Sequence, residues 1–282
     1  MRHYKKLLLF TFLILIWSCQ QKAKPIKVSK TSSENLTLTK VSDSLTIDLV
    51  ALQKQEKLPT TTSITVTDDP VYHGVKHYNA FSFQELLNSY PKIKGLDAAN
   101  YQIVFECEDG YKPIMPLGQF LSKKAFIAIS DIGAPKGELW SKIIKDGHEM
   151  KAAPFYLVYK DVSSKDIDYK WPYNLTKIHF VTAIEYDSFL FPKEDKKAVI
   201  GFRLFKKNCI ICHSINKIGG KMGPELNYPK SVTEYWEKDQ LKAFIKNPAS
   251  FRNNVKMPTL NLKEKEIEDI TNYLVYMSNH KL

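Results

Sequence analysis

The rhythm of apolar and polar positions changes several times along this chain, and each rhythm predicts a different kind of element. Residues 7–17 are apolar apart from Thr11. Residues 20–57 are polar and rich in Lys, Ser and Thr, with no sustained apolar period before Leu45. Such a stretch buries too little surface to order itself and reads as a tether. Strand-like alternation then appears: Tyr101, Ile103, Phe105 and Cys107 fall on one face. Asp109-Gly110 signals a hairpin turn, and a return strand follows over 112–117, where Pro113 and Pro116 suit an edge. Residues 125–130, 155–159 and 176–186 are further strand candidates, and Ser82 with Glu85 predicts a capping box for a short helix over 83–90. Beyond residue 194 the period becomes helical. Residues 196–208 carry Val199, Ile200, Phe202, Leu204 and Phe205 as their apolar set. In a final helix Ile267, Ile270, Leu274 and Met277 share a face behind an Asn261/Glu264 capping box. A turn-rich loop with Gly219-Gly220 and Gly223-Pro224-Glu225-Leu226 separates the two.

These rhythms divide the chain into a leader (1–18), a flexible tether (19–59), a β-rich α+β domain (60–193) and an all-α domain (194–282). At 282 residues there is room for two domains after the tether is set aside.

The leader sharpens the picture. Arg2, Lys5 and Lys6 precede the apolar run, and Ser18-Cys19 follow it directly. The run is too short for a comfortable membrane span and has the length of a signal-peptide core. Ile16-Trp17-Ser18-Cys19 resembles a bacterial lipobox, which implies export and lipidation of Cys19, with the mature protein held at the periplasmic side of a membrane. An ordinary cleaved signal or an uncleaved anchor remains the competing reading.

The net charge of +11 is concentrated at the two ends: residues 1–59 hold ten basic and four acidic groups, and residues 194–282 hold sixteen and ten. Anionic lipid headgroups near the tether and an acidic face on a partner protein suit this distribution. No nucleic-acid motif accompanies the charge, and no Gly-rich phosphate loop, nucleophile elbow or helical zinc-protease motif is present. His73 and His77 lie four apart, but Gly74 falls between them and no carboxylate-rich pattern surrounds them.

Candidate chemistry concentrates at Cys209-Ile210-Ile211-Cys212-His213. Two thiols three residues apart can each form a thioether with a haem vinyl group, and the adjacent histidine then lies under the iron. A zinc site would need about four ligands, and no second Cys/His pair with suitable spacing follows. Helix, Cys-x-x-Cys-His, turn-rich loop and final helix occur here in the order of a class I cytochrome c, and residues 194–282 resemble one throughout. The resemblance implies one covalent haem c and single-electron transfer. It implies that Gly201, Phe205 and Tyr273 pack the first helix on the last, and that the Pro224 carbonyl orients the His213 ring. Met257, before Pro258 in a loop 44 residues after His213, resembles the family's Met-Pro and would be the sixth iron ligand. Met222 stands too close to His213 in sequence to reach the opposite face, and Met277 lies on the core stripe of the last helix. Redox proteins that donate and accept the electron are the partners this implies.

With Cys19 assigned to lipid and two thiols to haem, Cys107 remains alone. The order helix, Val104-Phe105-Glu106-Cys107-Glu108-Asp109-Gly110-Tyr111, then a Pro-bearing strand, resembles the molybdopterin-binding domain of the sulfite oxidase family. Residues 153–158 and 170–178 are similar to other segments of that domain. In that family a cysteine near this position binds molybdenum, which implies an alternative: a molybdenum–haem oxidoreductase with Cys107 as metal ligand. Tyr156 stands where the family carries an arginine, and the pterin-phosphate contacts are not evident in residues 160–173. The preferred reading makes Cys107 a small apolar residue on a buried strand face, in a docking or structural domain. A haem-based sensor, in which Met257 gives way to an external ligand, is a third reading.

Overall fold

A computed structural model describes residues 45–145 and 147–281. The leader, Cys19 and most of the tether lie outside the described residues.

The first region runs β1 (Thr46–Asp48), α1 (Leu49–Lys54), β2 (Thr62–Asp69), β3 (Gly74–Ser82), α2 (Phe83–Asn88), α3 (Pro91–Lys94), β4 (Tyr101–Cys107), β5 (Ile114–Pro116), α4 (Leu117–Leu121), β6 (Ala125–Asp131), β7 (Ile143–Lys145), β8 (His148–Met150), β9 (Tyr156–Tyr159), β10 (Leu175–Thr182) and α5 (Ala183–Ser188). Two antiparallel four-stranded sheets result, ordered β1-β10-β4-β5 and β2-β3-β6-β9, with β7 and β8 paired separately.

Alternation on the strands assigns each face to a different core. Ile103, Phe105 and Cys107 of β4, Ile178 and Phe180 of β10, Ile127 of β6 and Leu157 and Tyr159 of β9 share one core. That core lies between the inner faces of the two sheets. On the other side of the second sheet, Ile64, Val66, Tyr78, Tyr156 and Val158 form an aromatic layer with Trp140 and Trp171. Asp69 is fully buried there. Its carboxylate accepts from the Tyr78 hydroxyl at 2.7 Å, the Tyr156 hydroxyl at 3.1 Å and the Val71 and Tyr72 backbone N–H groups.

The second region comprises α6 (Lys196–Asn208), a two-rung ladder of β11 (Ser214–Ile215) and β12 (Ile218–Gly219), α7 (Val232–Tyr235), α8 (Lys238–Lys246) and α9 (Glu264–Ser278). Its core is continuous with the free face of the first sheet. Val104, Ile114 and Val181 from that sheet, with Tyr186 and Leu190, cluster with Phe202, Phe205, Ile210, Ile270, Tyr273 and Met277.

Several expectations need correction. The tether does not extend to residue 59: β1 and α1 fall inside it, and Ile47 and Leu49 are fully buried. One buried apolar side chain, Ile47, suffices to seat this three-residue edge strand when a partner, β10, supplies the hydrogen bonds, and Leu49 then anchors the helix that follows. The strand expected over 176–186 ends at Thr182, whose hydroxyl caps α5 by accepting from the Glu185 N–H. Ser82 occupies the N-cap of α2 without making a capping bond. Helix α9 starts after Lys263 rather than Asn261, and the Glu266 carboxylate accepts from the Lys263 N–H at 2.8 Å. The second region is not purely helical, because β11 and β12 interrupt it. Strands β2 and β3 have no counterpart among the predicted strands. His77 sits on β3, with Nδ1 3.0 Å from the Thr65 hydroxyl, so His73 and His77 share no helical face.

Candidate haem site

Helix α6 delivers the Cys-x-x-Cys-His segment. Asp195 caps its start by accepting from Lys197 and Ala198 N–H groups, and Cys209 closes it, its own N–H returning to the Phe205 carbonyl at 2.8 Å. The chain then makes one tight turn. The Cys212 and His213 N–H groups both bond to the Cys209 carbonyl, at 3.0 and 2.8 Å. Both thiols and the imidazole therefore emerge from a single turn.

Helix α9 braces α6 from behind. Gly201 faces Asp269 and Tyr273 so closely that a Cβ would meet the Asp269 carbonyl and lie 2.7 Å from the Tyr273 Cβ. Phe205 and Tyr273 rings sit 5.4 Å apart, and the Tyr273 hydroxyl donates to the Leu190 carbonyl at 2.9 Å.

The histidine is oriented from one side. His213 Nδ1 lies 2.9 Å from the Pro224 carbonyl oxygen, which fixes Nδ1 as the protonated nitrogen of the neutral ring and leaves Nε2 as its lone-pair side. Gly223 lies against the same ring: a Cβ there would be 2.5 Å from His213 Cε1. Burial holds the His213 pKa below the usual histidine range, against an opposing hydrogen bond to Pro224.

Sequence reasoning did not single out Glu225, which holds this loop. Its carboxylate accepts from the backbone N–H groups of Asn216 at 2.9 Å, Lys217 at 2.8 Å, Asn227 at 2.9 Å and Tyr228 at 3.2 Å. Asn216 and Lys217 have φ of 52° and 67°, the turn of the β11–β12 hairpin. Asn227 then donates to the Asn216 side chain and the Met277 carbonyl, tying the loop to the end of α9. The only trace in the sequence is one acid after Gly-Pro, too common to read.

Cys209 and Cys212 are free thiols. Burial pushes them up to about 12 and about 11, so both are protonated at neutral pH. Leu204, Ile211, Leu226, Trp236, Met257 and Leu262 are only partly buried against the core that contains Phe205 and Ile210. Two thiols and one imidazole presenting Nε2 from a single turn, in a domain with half-covered apolar side chains on its core, fit a covalently held porphyrin. Met257 stands in the loop between α8 and α9, half-buried against the same core. Met222 lies beside the attachment turn, its sulfur 3.9 Å from Cys212 Sγ, and Met277 is core. Among the described residues no three His, Cys, Asp or Glu side chains converge on a metal position.

The cytochrome c family matches residues 198–278. This stretch is a cytochrome c domain. Such a domain implies a covalent haem c and haem-based electron transfer. A cytochrome c homolog of Rickettsia prowazekii (strain Madrid E) is 29% identical over 96 residues, covering 28% of this chain and 54% of that protein. A cytochrome c homolog of Rickettsia bellii (strain RML369-C) is 33% identical over 91 residues, covering 26% and 53%. The chain thus spans about half the length of the curated relatives it matches.

Cys107 is not brought into the cytochrome c domain. It lies on the inner face of β4, 3% exposed, in the core between the sheets. Burial, then the Asp109 and Glu106 carboxylates, push its thiol far above the usual range. The shallow cleft beside it is lined by Glu106, Glu108, Asp109, Lys112 and Lys221, and Lys112 is already paired with Glu106 at 2.6 Å. An anionic pterin phosphate needs several free fixed donors. These residues do not fit a molybdopterin.

Proposed function

We propose that this protein is a membrane-tethered, periplasmic c-type cytochrome that carries single electrons. One observation carries the reading: a Cys-x-x-Cys-His turn that presents both thiols beside an imidazole whose Nδ1 is held 2.9 Å from the Pro224 carbonyl. In this reading Cys209 and Cys212 anchor the haem, and His213 and Met257 are its axial ligands. The haem supplies the reversible one-electron couple. The chain's residues fix the imidazole, limit water at the porphyrin and present a basic surface to an acidic partner. A site closed by two protein ligands leaves no position for substrate, which favours a carrier over a catalyst or a sensor. The α+β domain, though similar in pattern to the sulfite oxidase family, serves as a scaffold without molybdenum. Cys19, outside the described residues, would carry the lipid. Among the described residues no helix is long and apolar enough to cross a membrane.

Expression beside a working haem-ligation system tests the proposal. The expected product is red, with an intact mass increased by one haem and an alkaline pyridine spectrum of two-thioether haem. A colourless chain of unmodified mass would overturn it. Cys19→Ser should move the protein from the membrane to the soluble fraction.

A further inference from the structure

The turn between β4 and β5 belongs to the α+β domain by sequence, yet its backbone is bonded to the haem-attachment segment. The Lys112 N–H donates to the carbonyl of Ile211, which lies between the two haem cysteines, at 2.8 Å. The Lys221 N–H donates to the Gly110 carbonyl, also at 2.8 Å. Gly110 has φ of +86°, and a Cβ there would lie 2.8 Å from the Lys221 carbonyl carbon and 2.9 Å from the Met222 nitrogen. Neither the backbone conformation nor the space admits a side chain. Between these two anchors Tyr111 packs half-buried against the core of its own domain. Met222, whose backbone Gly110 packs against, has its sulfur 3.9 Å from Cys212 Sγ. On either side of the turn, Val104 and Ile114 enter the core that contains Phe205 and Ile210.

We propose that the Gly110-Tyr111-Lys112 turn is a working part of the haem site, a positioning element through which the α+β domain fixes the attachment segment, shields its Cys212 side from water and so sets the haem potential. The inference rests on the haem reading above. Oxidised iron carries one more positive charge than reduced iron, so water at the porphyrin edge favours the oxidised form and lowers the potential. A protein wall at that edge acts the other way.

The test uses the full chain, matured with haem, as wild type and as Tyr111→Ala, Tyr111→Phe and Gly110→Ala. Asp69→Asn, in the aromatic layer on the far side of the second sheet, controls for general destabilisation. The pyridine spectrum reports haem attachment, and a redox titration reports the midpoint potential. Tyr111→Ala and Gly110→Ala should lower the potential and speed amide hydrogen exchange over residues 211–221. Tyr111→Phe, which keeps the packing, and Asp69→Asn should leave the potential near wild type. Haem-bearing Tyr111→Ala and Gly110→Ala with unchanged potentials would overturn this proposal alone. A wild-type chain that takes no haem would overturn it together with the carrier reading.

Discussion

Gly201 and Asp269 approach so closely that no side chain fits between the α6 backbone and the α9 carbonyl. The contact lets Phe202 and Phe205 reach Tyr273, at ring separations of 5.7 and 5.4 Å, and it sets the distance from which the haem turn is launched. Gly201→Ala should therefore push the helices apart at a backbone contact that cannot rotate away. A loss of about 3 kcal/mol or more is expected. Denaturant unfolding followed by tryptophan fluorescence would check it, and a variant within about 0.5 kcal/mol of wild type would show that the helices can slide.

The same contact shows what the sequence can and cannot disclose. Residues 196–208 and the stripe Ile267, Ile270, Leu274 and Met277 were legible because helix burial repeats every three to four positions and each helix turns one face to a single core. Strand β4 was half legible. The face bearing Ile103, Phe105 and Cys107 was read, but Val104 faces the other way into the cytochrome core, and alternation cannot say what covers the second face. Strands β2 and β3 went unread because Asp69, His77 and Lys76 punctuate them with polar groups whose partners are distant in sequence: Asp69 meets Tyr156, and Lys76 meets Asp131. In the site, the Cys-x-x-Cys-His spacing and Pro224 were visible as local motifs. Glu225 and the Gly110-Lys112 turn act through backbone contacts, which carry almost no residue signature.

Glu225 gives a second expectation. Four backbone N–H groups converge on its carboxylate, and bonds to a charged acceptor contribute more than neutral ones. Glu225→Ala should cost about 2–4 kcal/mol, less than four independent bonds because the loop can partly recruit water. Since Pro224 precedes it, the His213 ring should also loosen. Histidine ring resonances of the haem-bound protein would broaden in the variant, whereas sharp, unshifted lines would separate the loop clamp from the ligand.

Acid stability should report on Glu106. The His179 hydrogen bond, with help from Lys112 and against burial, lowers this carboxyl to about 2 from an ordinary value near 4.5. A depressed carboxylate contributes stability that is complete above its unfolded pKa and disappears as pH falls through its folded one. The contribution is thus present at neutral pH and fades between about pH 4.5 and pH 2. Glu106→Gln should lower stability at pH 7 and flatten the acid limb over that interval. Parallel wild-type and variant curves across it would show that Glu106 titrates alike in the folded and unfolded chain.

The sixth ligand is the sharpest test of the carrier reading. Met257 stands on a loop separate from His213, half-buried against the domain core, whereas Met222 lies on the Cys212 side and Met277 in the helix core. A thioether opposite imidazole favours reduced iron and raises the potential. Met257→Ala should retain covalent haem, because the thioethers and His213 are untouched. It should lose the weak sulfur-to-iron absorption band at the red end of the oxidised spectrum, lower the midpoint potential and bind carbon monoxide in the reduced state without denaturant. If the band persists in Met257→Ala but disappears in Met222→Ala, the loop before α9 does not close the site, and the iron is held from the side of the Cys212 turn instead.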